Sequence, residues 1–358
     1  MSKNNLQTRI TQLDGLRGIA AVMVLALHFP IAESFFTNNF FVRQSWLFVD
    51  FFFVLSGFII ATNYYTKISA WSVFKNYLLK RIARLGPLLY FTVIIYFIYE
   101  MLGLFLKMKV NPHPVTYYIT QTIDSLFFLN STTLLGSTQG MNPPSWSISA
   151  EMISYFVFGV GVVSFPKKKI YFSILIVALC IVFIIVNNDY TFQNGDYGFV
   201  RGLLGFNFGV ITYKISKIKD FKTNLLEVPS VLITLVAFYV TFNNKGQFQN
   251  IQYLIFPFIF SFIVYIFRFS SGALSNALNS KPLQLLGKLS FSIYLNHYII
   301  ITIIYQVCFK LLRIELTEPN ITIIFFITVV IVLLYSLITY HFIELRIGRR
   351  VKNILLKK

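Results

Sequence analysis

The sequence predicts an all-α integral membrane protein, a bundle of about ten transmembrane helices, and three observations carry that prediction. Of 358 residues, 56% are hydrophobic and only 12% charged, with a mean hydropathy of +0.69. Soluble domains carry about 25% charged residues, so this chain has roughly half the charge that a water-facing surface requires. Apolar runs of the roughly 20 residues that a helix needs to cross a bilayer recur from one end to the other. Finally, 31 Lys and Arg against 13 Asp and Glu give a net charge of +18. On a soluble chain that excess would suggest nucleic acid. Between apolar runs it is the cytoplasmic bias that fixes orientation, and no nucleic-acid partner is expected. These figures exclude a soluble globular enzyme, a disordered chain and a secreted disulfide scaffold. The two cysteines, Cys180 and Cys308, both lie in apolar runs.

Candidate spans begin near residues 15, 46, 85, 146, 170, 198, 229, 250, 288 and 320. The first follows Asp14-Gly15-Leu16-Arg17-Gly18 without a small-residue cleavage site, so it reads as a retained helix and not a signal peptide. Pro87, after Gly86, suits the first turn of the third. Segment 115–135 is weaker, because it holds Gln121, Asp124, Asn130 and a run of Ser and Thr. If this segment does not cross, 23 of the 31 basic residues fall on the cytoplasmic side together with both termini. If it did cross, every later loop would change sides and the bias would largely vanish. The expectation is therefore ten spans, both termini cytoplasmic, with 115–135 a re-entrant or outer-face element covered by protein or a watery cavity. With no internal repeat or linker, residues 1–358 read as a single transmembrane domain, multi-pass in the inner (plasma) membrane and surrounded by membrane lipids. Homo-oligomerisation is left open.

An ionisable group within a span costs about 2.5–3.5 kcal/mol on insertion scales, so it normally has a partner or a function. His28 follows Arg17 by eleven residues, which is about 16 Å of rise and nearly whole turns, so it sits above Arg17 on one helix face. Asp50 lies about one turn into the second span, running inward from Trp46. Glu151 lies at a similar depth after Pro143-Pro144-Ser145-Trp146, on one face with Ser147 and Tyr155. His28, Asp50 and Glu151 thus reach one layer beneath the outer surface, as candidates for general acid–base work. At the inner end, Arg81 and Arg84 share a face and, with Arg17, could clamp phosphates, since guanidinium binds phosphate oxygens bidentately.

Each of these residues also has a plainer reading. Arg17 could be a snorkelling anchor, His28 a cross-helix hydrogen-bonding group, and Asp50 and Glu151 partners of Arg43 or Arg201. Ser56-Gly57 and Gly202, Gly205 and Gly209 read as small faces for close helix contact. His297, with Ser290 and Tyr294, reads as a structural polar seam, and His341 and Glu344 as partners of nearby arginines. Four scattered histidines without zinc-type spacing predict no metal.

Several segments resemble the membrane acyltransferase-3 family. Leu13-Asp14-Gly15-Leu16-Arg17-Gly18 through His28 carries its Arg-x10-His spacing, and Val49-Asp50-Phe51-Phe52-Phe53-Val54-Leu55-Ser56-Gly57-Phe58 is similar to its second-helix motif. Arg81-Ile82-Ala83-Arg84 resembles its Arg-x-x-Arg element, Trp146-Ser147 to Glu151 its Trp-Ser-x-x-x-Glu segment, and Tyr294-Leu295-Asn296-His297 its Tyr-Leu-x-His motif. Glu344 departs from the pattern, being followed by Leu345-Arg346 without the Pro often found there. The resemblance implies a bacterial sugar O-acyltransferase without a fused soluble esterase-like domain. Its donor would be acyl-CoA, usually acetyl-CoA as co-substrate, and its acceptor a hydroxyl of a cell-surface glycan or lipid-linked sugar. Coenzyme A would meet Arg17, Arg81 and Arg84 at the inner mouth and extend its acyl arm towards His28. There a neutral imidazole, of reference pKa about 6.5, could take the acceptor proton or carry the acyl group itself. Glu151 or Asp50 would hold the tautomer. The competing readings are a transporter or flippase of a glycan precursor, and a non-catalytic member of an envelope assembly.

Overall fold

The computed structural model describes residues 10–30, 39–107, 112–135, 139–187, 192, 197–218, 223–244 and 249–357. Lys3, Arg9, Lys109, Lys219, Lys222, Lys245 and Lys358, which enter the charge count above, lie outside the described residues. The helices are α1 (Thr11–Leu27), α2 (Phe40–Arg43), α3 (Phe48–Tyr64), α4 (Trp71–Phe105), α5 (Val115–Leu126), α6 (Trp146–Ser164) and α7 (Lys169–Val186). They continue with α8 (Gly198–Ile215), α9 (Glu227–Asn243), α10 (Gln249–Phe269), α11 (Ala273–Leu278), α12 (Lys281–Tyr305), α13 (Glu318–Thr339) and α14 (Gly348–Leu356). The protein is a helical membrane bundle: among the described residues, eight helices are long and apolar enough to cross a bilayer. Two expected spans are not among the eight, α1 with 17 residues and α8 with Arg201 and Asn207 along it. Their polar and small residues reflect where they sit. Thirteen of the 18 residues of α8 are buried against protein, so lipid sets little of their composition.

Two helix pairs pack most extensively, α1 with α12 and α3 with α8. Both are parallel and both rest on glycine. A Cβ at Gly18 would lie 2.6 Å from the Gly287 nitrogen, and one at Gly287 would lie 2.2 Å from the Asp14 carbonyl oxygen. In the second pair, a Cβ at Gly57 would lie 1.9 Å from the Phe206 carbonyl oxygen, and one at Gly209 would lie 2.0 Å from that of Val54. In a bilayer, where apolar burial between helices supplies little drive, such backbone approach is what side-chain-free positions make available to dispersion. The small faces seen in the sequence are these contacts.

The third span differs from the expectation. Helix α4 starts at Trp71 and runs through Pro87, so Lys80, Arg81 and Arg84 lie within it and not ahead of it. Proline denies the Ala83 carbonyl its helical N–H partner. A Cβ at Gly348, where α14 begins, would lie 3.3 Å from that oxygen. The exposed carbonyl thus lies at the seat of α14, which packs on α4.

Helix α5 has 12 residues, about 18 Å, well short of the roughly 30 Å hydrocarbon core. The polar residues that weakened segment 115–135 as a span bind the approach to α6. Asn130 Nδ2 donates to Ser145 Oγ (2.9 Å), Ser149 Oγ donates to the Phe128 carbonyl (2.5 Å), and the Met141 N–H donates to Ser125 Oγ (2.9 Å).

Gly57→Ala forces a methyl against the α8 backbone, and overpacking of this kind costs about 1–3 kcal/mol. The expected result is a lowered thermal unfolding midpoint in detergent; an unchanged midpoint would contradict the contact.

Candidate active site

Equal spacing along two parallel helices builds the first half of the site. His28 lies ten residues beyond Gly18, and His297 ten beyond Gly287. With the glycines in contact, the same rise of about 15 Å delivers both histidines to one level. His297 Nε2 lies 3.1 Å from His28 Nδ1, and the ring centroids are 4.9 Å apart. One assignment of protons satisfies every contact. His297 Nδ1–H donates to the Ile293 carbonyl (3.2 Å), so its Nε2 accepts. His28 Nδ1–H is then shared between the Val24 carbonyl (2.8 Å) and His297 Nε2. That leaves the lone pair of His28 on Nε2. The Tyr298 ring stands edge-on to His28 at 5.5 Å.

The other parallel pair supplies the second half. Arg201 Nε donates to Asp50 Oδ1 (2.6 Å), and Nη2 to Asp50 Oδ2 (2.8 Å) and to the Trp46 carbonyl (3.1 Å). Both side chains are buried, and the guanidinium lies 4.9–5.6 Å from the ring centres of Trp46, Tyr253 and Trp146. A cavity of about 290 Å³ opens between the two halves, lined by His28, Trp46, Pro144, Trp146, Arg201 and Tyr298 among others. Its Pro143–Trp146 wall is held from behind. Asn142 Nδ2 donates to the Leu295 carbonyl (2.9 Å), and Ser147 Oγ to Tyr294 OH (2.8 Å).

Neither carboxylate touches His28. Asp50 is spent on Arg201, one of the two partners that the sequence suggested for it. Glu151, five residues along α6 from Trp146, has its carboxylate on other partners. Ser56 Oγ (2.5 Å) and Tyr155 OH both donate to Glu151 Oε1. The imidazole is oriented instead by a backbone carbonyl and by His297, which the sequence reading took for structure. The repeated Gly-x9-His spacing was the signal available.

The second cavity, of about 320 Å³, lies at the basic end and is lined by Tyr64, Lys80, Arg81, Arg84, Glu344, Arg349 and Lys352, with others. Arg81 Nη2 donates to Tyr64 OH (3.2 Å), and its guanidinium lies 5.9 Å from the Tyr155 ring centre. Arg84 joins it there. Arg17 is not among the lining residues; it donates to the Gly287 carbonyl (2.7 Å) and lies 3.7 Å from Asp14. Arg349 and Lys352, which sequence reading left in the general basic tail, are brought in by α14. Glu344 accepts from Ser292 Oγ (3.0 Å), with Arg84 and Arg17 as its electrostatic neighbours. His341 is exposed, its Nδ1 on the Leu337 carbonyl (2.9 Å). Among the described residues, no three His, Cys, Asp or Glu side chains are grouped as metal ligands would be.

One face of α6 carries polar groups from beside one cavity to beside the other. Ser147 bonds Tyr294 beside the histidines, Glu151 sits midway, and Tyr155 faces Arg81. Eight residues cover about 12 Å. The molecule is thus a helical membrane protein with an imidazole site at one end and a cationic site at the other, joined by a polar seam.

The acyltransferase-3 family model, described as an acyltransferase domain, matches residues 10–340, and the chain belongs to that family. It is 32% identical over 162 residues to Protein 2 in picA locus of Rhizobium radiobacter, covering 42% of this chain and 81% of that one. It is also 23% identical over 367 aligned residues to the O-acetyltransferase OatA of Staphylococcus aureus strain NCTC 8325, covering 94% of this chain. The chain spans 57% of the length of OatA. No solved structure matches.

Asp50→Asn strands the Arg201 charge in the bundle, and breaking a buried pair costs about 3–5 kcal/mol. The neutral double variant Asp50→Asn/Arg201→Gln is expected to recover most of that loss in a chemical denaturation series in detergent. Equal destabilisation by the single and double variants would contradict a paired charge.

Proposed function

We propose that this protein moves an acyl group, acetyl in the simplest case, from cytosolic acyl-CoA to a hydroxyl of a cell-surface or lipid-linked glycan, across the inner membrane. The observation that carries this reading is the seam of α6, running from a cavity of five basic side chains to one holding a histidine with its Nε2 lone pair unspent. Lys80, Arg81, Arg84, Arg349 and Lys352 suit the phosphates of coenzyme A, a polyanion, by charge and by bidentate geometry. Arg17 acts from the side, fixing α1 to α12. Ser56, Glu151 and Tyr155 form a polar cluster between the cavities, where amide groups of an extended donor arm would find acceptors and donors. His28 Nε2 takes the proton of the attacking hydroxyl, and His297 positions the ring by accepting from Nδ1. Asp50 works one step removed, by holding Arg201.

The orientation that this requires has ten spans, both termini cytoplasmic, and α5 lying on the outer side. Parallel packing supports it. Helices α1 and α12 share a direction only if an even number of spans separates their starts, which holds when α5 does not cross. The OatA likeness supports O-acetyl transfer as the reaction, with 1–358 acting as one transmembrane unit.

The test uses membrane vesicles given labelled acetyl-CoA on the cytoplasmic face, with ester-linked label in glycan as the readout. His28→Ala is expected to lower the rate by about 10²–10⁴-fold, the usual range for a general base, at near wild-type protein level. Arg81→Ala and Arg84→Ala are expected to raise the KM for acetyl-CoA more than they lower kcat. Full activity of His28→Ala would overturn the reading, and movement of intact sugar without ester formation would favour a transporter.

A further inference from the structure

Arg201 is the only residue lining the His28 cavity, among those described, that carries a permanent charge. Its side chain is 1% exposed. Asp50 and the Trp46 carbonyl occupy Nε and Nη2, at 2.6, 2.8 and 3.1 Å. Nη1 has no hydrogen-bond partner among the described residues, and it is not one of the sealed polar atoms left unpaired. The edge of the guanidinium that Asp50 does not hold therefore opens on the cavity. A charged group's donor left unsatisfied in an enclosed site is destabilising. Its retention calls for an acceptor supplied during function.

We propose that Arg201 is a catalytic residue, its Nη1–H donating to the thioester carbonyl oxygen and holding the oxyanion that forms there; this rests on the acyl-transfer reading above. Charge balance favours that role. Asp50 already neutralises the guanidinium, and aromatic rings surround it, so a second permanent carboxylate, such as one on an acidic sugar, would leave a net negative charge buried there. An oxyanion arises only as His28 becomes an imidazolium, so the cavity as a whole stays neutral. As the hydroxyl oxygen bonds to the carbonyl carbon, its proton passes to His28 Nε2 and the C=O π pair moves onto oxygen, against Nη1. When that pair returns, the C–S bond breaks, and the proton on His28 passes to the thiolate sulfur. The products are the ester and the free thiol. A donor fixed in advance by a salt bridge needs no reorganisation at that moment, which is the source of oxyanion-hole stabilisation.

Two variants test this in the full-length protein in membrane vesicles of the expressing strain, with labelled acetyl-CoA and the acceptors those membranes hold. Asp50→Asn/Arg201→Gln removes the charge pair and shortens the donor. Arg201→Lys keeps the charge against Asp50 but loses the second donor edge. Loss of one oxyanion donor typically costs about 10²–10³ in kcat, so each variant is expected to fall by that factor. The KM for acetyl-CoA should stay within about twofold, as expected when an interaction made only in the transition state is lost. If the double variant fails to fold, Arg201→Lys alone decides. A wild-type kcat in a folded variant overturns the assignment, and so does a rate loss that appears entirely in the KM for acetyl-CoA. Transfer by wild type, its loss in His28→Ala and its persistence in Arg201→Lys would remove only the role of Arg201. Absence of transfer by wild type would remove the acyl-transfer reading itself.

Discussion

Backbone contact between parallel helices is the constraint on which the rest of this protein depends. Where Gly18 meets Gly287, and where Gly57 meets Phe206, no side chain separates the two helices. The register of each pair is thereby locked to within a fraction of a turn. The two polar pairs at the histidine end are placed by counting residues from those contacts. Ten residues along α1 and ten along α12 bring His28 to His297, and the shared start of α3 and α8 brings Asp50 to Arg201. A single methyl at any of these glycines would shift an element that carries half of a site, so their effect on chemistry is out of proportion to their size.

The buried ion pair follows from the same logic. Desolvating two charges inside a bundle costs several kcal/mol per ion, and the attraction between them repays it only with good geometry and further hydrogen bonds. Asp50 and Arg201 have both: two short parallel bonds, the Trp46 carbonyl, and three aromatic faces around the guanidinium. A pair of apolar residues would serve stability as well. What the pair adds is a donor edge held rigidly beside an imidazole whose tautomer is itself fixed by a backbone carbonyl. Both groups are thus oriented before any ligand arrives.

Much of this was legible in the sequence, for a physical reason. The bilayer taxes every ionisable residue, so those that remain stand out: His28, Asp50 and Glu151 are visible as exceptions within spans, and Arg81 and Arg84 as a shared basic face at an inner helix end. Asp50 with Arg201 was foreseeable as a pair for the same reason. What a single sequence lacks is which faces meet. His297 looked like part of a polar seam because its neighbour lies 269 residues away. That Glu151 bonds Ser56 on another helix is a matter of facing, which its position along α6 does not reveal. Pro87 was read as a helix beginning because that is its common position, whereas here α14 seats on the carbonyl that the proline exposes.

Pro87 also bears on how the two ends of the molecule are built. The proline leaves the carbonyl of Ala83, which lies between Arg81 and Arg84 in sequence, without its helical partner, and Gly348 packs against it. Its successors Arg349 and Lys352 complete the basic cavity with the two arginines of α4. The cationic site is therefore made by a defect in a helix, and its parts come from residues 265 or more positions apart. Helix α5 does the equivalent work at the other end. It is too short and too polar to cross; its Ser125, with Phe128 and Asn130 just after it, bonds to the approach and first turns of α6 and so stiffens the Pro143–Trp146 wall. In both places a feature that would weaken a plain membrane helix is what gives a cavity its wall.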